Sequence, residues 1–333
     1  MTRLPRLPAS PPSRSPDPHP RRTPVTPTDR TGTTDAPART ASSGAAPSRT
    51  TDDVHLGGDR LYTEAITIGY DDRVISADLD VSIPDGSFTV IVGPNACGKS
   101  TLLRALSRLL KPSQGQVVLD GRAITSIPAK EVARRLGLLP QSSIAPEGIS
   151  VVDLVARGRY PHQSLLRQWS ADDEAAVVEA MAATGVTDLS DRLVDELSGG
   201  QRQRVWVAMV LAQETPILLL DEPTTFLDIA HQVELLDLCS DLHHERGHTL
   251  VAVLHDLNHA CRYATHLIAM KDGAIVAEGA PSDIVTAQLV EDVFGLPCRI
   301  IDDPVTGTPL VVPESRRRRT YSLTDYPDPN PAK

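Results

Sequence analysis

The chain has 333 residues, enough for one large domain or two modest ones around a sizeable buried core. Its 33 basic and 43 acidic residues leave a net charge of −10 at pH 7, which argues against a general nucleic-acid binder. The four cysteines, Cys97, Cys239, Cys261 and Cys298, show no CxxC spacing. That excludes a zinc knuckle or a disulfide-stapled secreted domain and fits a reducing, cytosolic compartment.

From Met1 to about Arg60 the sequence is rich in Pro, Ser, Thr and Arg, without aromatic residues or apolar periodicity. Such a composition cannot bury enough surface to offset the entropy of ordering, so residues 1–60 are expected to form a disordered tail. The tail is locally basic, with eight arginines against three aspartates over residues 1–50. Its plain reading is a bland extension or a misassigned start, and the alternative is a basic arm touching anionic lipid. Arg21 and Arg22 form a twin-arginine pair, but no apolar segment follows, so no secretory signal is expected. Nowhere does an apolar run reach the roughly 18 residues of a membrane-spanning helix, and any work at a membrane is expected to go through a partner.

LYTEAITIGY from Leu61 and ISADLDVSI from Ile75 alternate apolar and polar residues, the pattern of two antiparallel strands with one wet face. FTVIVG, Phe88 to Gly93, is a continuous apolar strand that ends in a Gly-rich turn. It leads into STLLRALSRLL, whose leucines recur at helical spacing. The intervening GPNACGKST satisfies GxxxxGK[ST] in the strand–loop–helix context that the pattern requires. Here backbone N–H groups can wrap the phosphates of ATP, the helix N-terminus adds positive potential, Lys99 reaches the outer phosphates and the Ser100 hydroxyl can ligate Mg²⁺. Gly93, Pro94, Asn95, Ala96, Cys97, Gly98, Lys99, Ser100 and Thr101 are therefore the candidate ATP contacts. Cys97 either fills space or is a reactive thiol that ATP would protect.

QVVLDG, RLGLLPQ, PILLLDE, HTLVAVLH and HLIAMKDG read as further buried strands separated by helices or turns, the alternation of a mostly parallel sheet. Between about Ile149 and Glu196 the pattern is helical, with VVDLVARGR and DDEAAVVEAMAATG and no convincing strand. PILLLDEP presents two adjacent acids at the carboxyl end of a strand, where open parallel sheets bind ligands. Asp221 is suited to hold Mg²⁺ and Glu222 to orient and polarise an attacking water. A merely solvated strand end is disfavoured, because two charges beside an apolar run need a cation nearby. His243, His244, His248, His259 and His266 follow no ligand spacing, so no metal site is expected from them. After Pro313 the chain turns polar, with Arg316 to Arg319 in a row, and residues 314–333 are expected to form a flexible tail.

LSGGQRQRV, Leu197 to Val205, resembles the signature sequence of ABC transporters, which most phosphate-loop NTPases lack. The resemblance spans about Leu61 to Pro313. It implies an α/β fold, a P-loop NTPase of ABC type with a mostly parallel core sheet, an antiparallel β subdomain and a helical subdomain at about residues 142–197. It also implies a head-to-tail homodimer that closes each ATP between one phosphate loop and the partner's Ser198, Gly199, Gly200, Gln201 and Asp228. Further matches are Tyr70 as the aromatic that stacks on adenine, Gln141 as the Q-loop residue and a Mg²⁺ ligand, and His255 as the switch histidine. With Lys99 and Glu222, His255 completes the catalytic set. Ala96 stands where the family often has glycine, and if φ there is positive the alanine costs about 1 kcal/mol.

RGRYPHQ (Arg157 to Gln163), PTTFLDIAHQ (Pro223 to Gln232) and IIDDPVTGTPLVVP (Ile300 to Pro313) are similar to stretches of the ATPase subunits of iron(III)-siderophore importers of the ferric enterobactin type. The implied partners are polytopic permease subunits and, indirectly, a siderophore-binding protein, with no nucleic acid. The implied location is peripheral, on the cytoplasmic face of the cell membrane. Cobalamin and haem importers are the alternatives within the family. A soluble ABC ATPase without a permease is the alternative of another class, disfavoured by the single ATPase unit and the lack of a long coiled coil. A catalytically dead subunit conflicts with intact Lys99, Asp221, Glu222 and His255.

Overall fold

The computed structural model describes residues 59–314 apart from 72, 142–143, 164–168 and 226. Nearly all of the expected N-terminal tail, and the C-terminal one from residue 315 onward with Arg316 to Arg319, lie outside the described residues. At the margin of the first, Arg60 pairs with Asp120 at 2.6 Å, and Arg135 meets the same carboxylate at 2.9 Å.

β1 (Leu61–Tyr70) and β2 (Arg73–Leu79) form the antiparallel hairpin expected from their alternation, and β3 (Ser82–Ile83) also pairs with β1. β4 (Phe88–Val92), buried throughout, leads through the glycine-rich turn into α1 (Lys99–Leu106). Then come β5 (Gln114–Leu119), β6 (Arg122–Ala123), α2 (Ala129–Val132) and β7 (Leu136–Leu139). Three helices follow, α3 (Val151–Ala156), α4 (Ala171–Ala183) and α5 (Gly199–Leu211). β8 (Ile217–Asp221), α6 (Ile229–Arg246), β9 (Thr249–Val253), α7 (Leu257–Tyr263), β10 (His266–Lys271) and β11 (Ala274–Gly279) complete the larger sheet. The described chain ends with α8 (Pro281–Ile284), α9 (Ala287–Phe294) and the hairpin of β12 (Cys298–Asp302) and β13 (Pro309–Pro313).

The larger sheet has the order β11-β10-β4-β9-β8-β7 and is parallel except at the β11 edge. Its central strands are covered on both faces, which is why they read as unbroken apolar runs. Successive side chains point to opposite faces: Phe88, Val90 and Val92 of β4 join one core, and Ile91 joins the other with Leu102 and Leu103 of α1. The second sheet, β2-β1-β5-β6 with β3 beside β1, is antiparallel. QVVLDG, expected in the parallel sheet, belongs here, with Leu119 opposite Leu61. The first three residues of β5, Gln114 to Gln116, are exposed and only Val117, Val118 and Leu119 are buried, and so short an apolar run does not reveal which sheet it joins.

The helical pattern between Ile149 and Glu196 is realised in α3 and α4, which pack with α5 around Leu154, Val177 and Trp206. Their starts are written in the caps. Ser150 caps α3, and Ser170 and Asp173 form a reciprocal capping box on α4. The two ends of the region meet where Val194 donates to Ile149 O and Val151 to Arg192 O. Among the described residues no helix is long and apolar enough to cross a membrane.

Candidate nucleotide site

The phosphate loop lies at the carboxyl end of β4, between the ends of β8, β9 and β10. Gly93 has φ 155°, and a Cβ there would sit 2.2 Å from Met270 O, so no other residue lets the loop pass this close to β10. Gly98, at φ 108°, stands at the N-cap of α1, and no side chain caps that helix. The first-turn N–H groups of α1 are thus available to an anion. Lys99 is buried, its ammonium donating to Gly93 O at 2.9 Å and Pro94 O at 2.8 Å. Ala96 has φ 61°, the left-handed conformation that glycine would take without strain. Cys97 is buried against Gly93.

Ser100 Oγ donates to Asp221 Oδ1 at 2.8 Å, joining α1 to the last residue of β8. Burial pushes the Asp221 carboxyl above its ordinary value, the Ser100 bond opposes this, and the Glu222 charge adds to the rise. Glu222 is held from three directions. His255 Nε2 lies 2.7 Å from Oε1, Gln141 Nε2 donates to Oε2 at 2.7 Å, and Thr225 Oγ1 donates to Oε2 at 3.3 Å. Burial acts to raise the Glu222 carboxyl, but the His255 and Gln141 contacts outweigh it, so its pKa lies below the usual glutamate value.

These groups converge because parallel strands end on one side. Gln141 follows β7, Asp221 ends β8, and His255 comes just after β9, where Leu254 N donates to Ile91 O. A cavity of about 240 Å³ opens in front of them, lined by Asn95, Lys99, Ser100, Thr101, Glu222 and His255. Tyr70 ends β1 and is 42% exposed, its hydroxyl accepting from Arg104 of α1 at 2.9 Å. A second hollow of about 350 Å³ lies between α4 and the ends of α5 and α6, without any phosphate-loop group.

Apart from Tyr70, the sequence-predicted residues thus fall into two sets. Gly93 to Thr101, Gln141, Asp221, Glu222 and His255 come together. Ser198, Gly199, Gly200, Gln201 and Asp228 do not line the cavity of their own chain. Ser198 caps α5 and forms a capping box with Gln201, leaving Gly199 and Gly200 in the exposed or half-exposed first turn. Asp228 caps α6, accepting from His231 N at 3.0 Å. Motif spacing missed Arg73 and Ile75, which also line the cavity, and Arg104 and Thr225. Position was the available signal for two of them: Arg73 lies just beyond the turn after Tyr70, and Thr225 three residues after Glu222.

The ABC transporter family matches residues 76–225. Over 257 residues the chain is 63% identical to the ferric enterobactin transport ATP-binding protein FepC of Escherichia coli (strain K12), covering 77% of this chain and 95% of that protein. It is 52% identical over 258 residues to the achromobactin transport ATP-binding protein CbrD of Dickeya dadantii (strain 3937), covering 78% and 96%. The dimeric structure of a bacterial ABC transporter cassette superimposes with a TM-score of 0.60 at 26% identity, covering 66% of this chain and 98% of that one. The chain belongs to the ABC transporter family, as one of its ATP-binding subunits.

Proposed function

We propose that this subunit hydrolyses ATP to drive import of iron(III)-siderophore complexes across the cytoplasmic membrane. The observation that carries the hydrolytic part is Glu222, fixed by Gln141, Thr225 and His255 beside the Ser100–Asp221 pair at the mouth of the phosphate loop. Kept ionised by those contacts, Glu222 accepts a proton from the attacking water and sets its line of approach. Lys99 exchanges its loop carbonyls for the outer phosphates. His255, already on Glu222, supplies a donor to the γ-phosphate and so registers whether the bond has broken.

Ser100, Asp221 and the Gln141 amide offer the all-oxygen donor set that suits Mg²⁺, and a buried Asp221 whose pKa is raised by desolvation is suited to a hard cation. An ion bound to these oxygens would supply neutralisation of the charge on the transferred phosphoryl. The exposed first turn of α5 provides the second set of N–H donors, brought to the γ-phosphate by a second copy of the chain in head-to-tail pairing. Residues 142–197 serve as the permease-facing subdomain, and Gln141, at its head and bonded to Glu222, relays nucleotide state to it. The subunit works peripherally on the cytoplasmic face.

The cargo follows from kinship with the two transport subunits, since the chemistry of a nucleotide site does not specify a cargo. Uptake of labelled ferric siderophore, cobalamin and haem is compared in cells with and without the subunit. Selective loss of the siderophore is expected, and loss of cobalamin or haem uptake instead would overturn the assignment. Co-purification with a polytopic permease is expected, and a stable complex with ribosomes or DNA in its place would sink the transporter reading.

A further inference from the structure

Lys99 is the cation that motif spacing supplies to the nucleotide cavity, yet an arginine lines the same space. Arg73, the first residue of β2, lines the cavity beside Asn95 and Ala96 of the phosphate loop. Among the described residues it makes no side-chain hydrogen bond and no ion pair, unlike Arg60, Arg135 and Arg159, each of which has a carboxylate partner. An unpaired arginine beside a cavity that also contains Glu222 is a cation available to an anionic ligand.

Its place along the ligand is set by the hairpin. Arg73 is the cross-strand partner of Tyr70, at the end of β1. A Cβ on Gly69 would sit 2.1 Å from Arg73 O, so the glycine is what lets β2 begin this close to β1. Arg73 therefore adjoins both Tyr70, its cross-strand neighbour, and the phosphate loop, with which it lines the cavity. With the base on Tyr70 and the outer phosphates in the loop, the α-phosphate is the charged group that lies between them. We propose that Arg73 binds the nucleotide's α-phosphate. The assignment rests on the reading of Tyr70 as the base-stacking residue.

Binding of ATP, ADP and adenosine to the full chain is measured at fixed ionic strength by competition with a fluorescent nucleotide, for the parent, Arg73→Ala, Arg73→Lys and Tyr70→Ala. Arg73→Ala is expected to weaken ATP and ADP by the same factor, about 10–100-fold for a charge-assisted contact, while adenosine is unchanged and Arg73→Lys recovers part of the loss. Because Arg73 is exposed and unpaired, its thermal midpoint is expected to match the parent's. A loss confined to ATP, an equal loss for adenosine, or no loss would overturn the role of Arg73 by itself. Tyr70→Ala is expected to weaken all three ligands. Unchanged adenosine binding in that variant would overturn the base reading, and the α-phosphate assignment with it.

Discussion

Glu222 carries two signs of a group held in place for use: a backbone φ of 53°, which non-glycine residues rarely adopt, and a carboxylate bonded by three side chains. If Glu222 is the base, Glu222→Gln keeps the shape of the site and loses the proton acceptor. Steady-state hydrolysis is expected to fall by about 10²–10⁴-fold with ATP affinity retained, and unimpaired turnover would remove Glu222 from this role. The pH dependence has a definite sign. The Glu222 pKa is depressed below the ordinary 4.5, so the reactive carboxylate is lost only as pH falls through that lower value. Without the His255 contact the depression shrinks. The acid limb of the kcat profile is therefore expected at higher pH in His255→Ala than in the parent, and an unmoved limb would mean that the pair does not set the protonation of Glu222. Residues joined by short motifs, such as Lys99, Ser100 and Asp221, were legible because each motif states its own chemistry. Ala96 was legible too, as a left-handed position occupied by a residue that pays about 1 kcal/mol to be there. Arg104 was not, because its contact with Tyr70 exists only once β1 and α1 are assembled, and Thr225, though only three residues beyond Glu222, belongs to no motif that states its role.

At the scale of elements, RGRYPHQ, noticed in the sequence only as a mark of kinship, has a packing role. Arg159 is buried, donating to Asp173 of α4 at 2.9 Å, to Ala212 O at 2.7 Å and to Glu214 at 2.6 Å. His162 Nε2 lies 2.8 Å from Gln213 O, and a Cβ on Gly158 would sit 2.1 Å from Met209 O. The segment thus covers the carbonyl end of α5, the helix whose other end is the signature turn. Removing Arg159 strands Asp173 in the core. Arg159→Met is expected to destabilise the fold by about 3–5 kcal/mol, each kcal/mol lowering Tm by roughly 2–4 °C. Burial alone would raise the Asp173 carboxyl, but its Arg159 and Ser170 bonds bring it below the ordinary 3.8. Its stabilisation is accordingly present above that value and lost as pH falls through the folded-state pKa. The stability gap between the parent and Arg159→Met is therefore expected to narrow as pH falls through that pKa, and a gap in Tm that does not change with pH would show that the ion pair does not set the protonation of Asp173. Continuous or alternating apolar runs made β1, β4, β8 and β9 readable. β5 was assigned to the wrong sheet, and β12 and β13 went unread, because half-exposed strands whose partners lie elsewhere in the fold carry little local signal.

At the scale of the whole molecule, the strand ends gather Lys99, Ser100, Glu222 and His255 around one cavity, and the signature turn is not part of its lining. Ser198 and Gln201 engage each other across the first turn of α5, and neither lines the cavity at Lys99 and Glu222 of the same chain. Two arrangements account for this. Either the signature turn is structural and the cavity works alone, or the turn completes the cavity of another copy. A bulky cation at position 198 separates them. In the first arrangement, Ser198→Arg disturbs only the cap of α5, at a cost of about 1 kcal/mol, and hydrolysis survives. In the second, it leaves ATP binding to the isolated chain untouched while blocking both association and turnover. The measurement is the nucleotide-dependent mass in solution, with Glu222→Gln added so that ATP persists. Glu222→Gln alone is expected to become dimeric on addition of MgATP. The Ser198→Arg, Glu222→Gln pair is expected to stay monomeric with its ATP affinity intact. A dimer in the double variant, or hydrolysis by Ser198→Arg at the parental rate, would place the complete site within one chain.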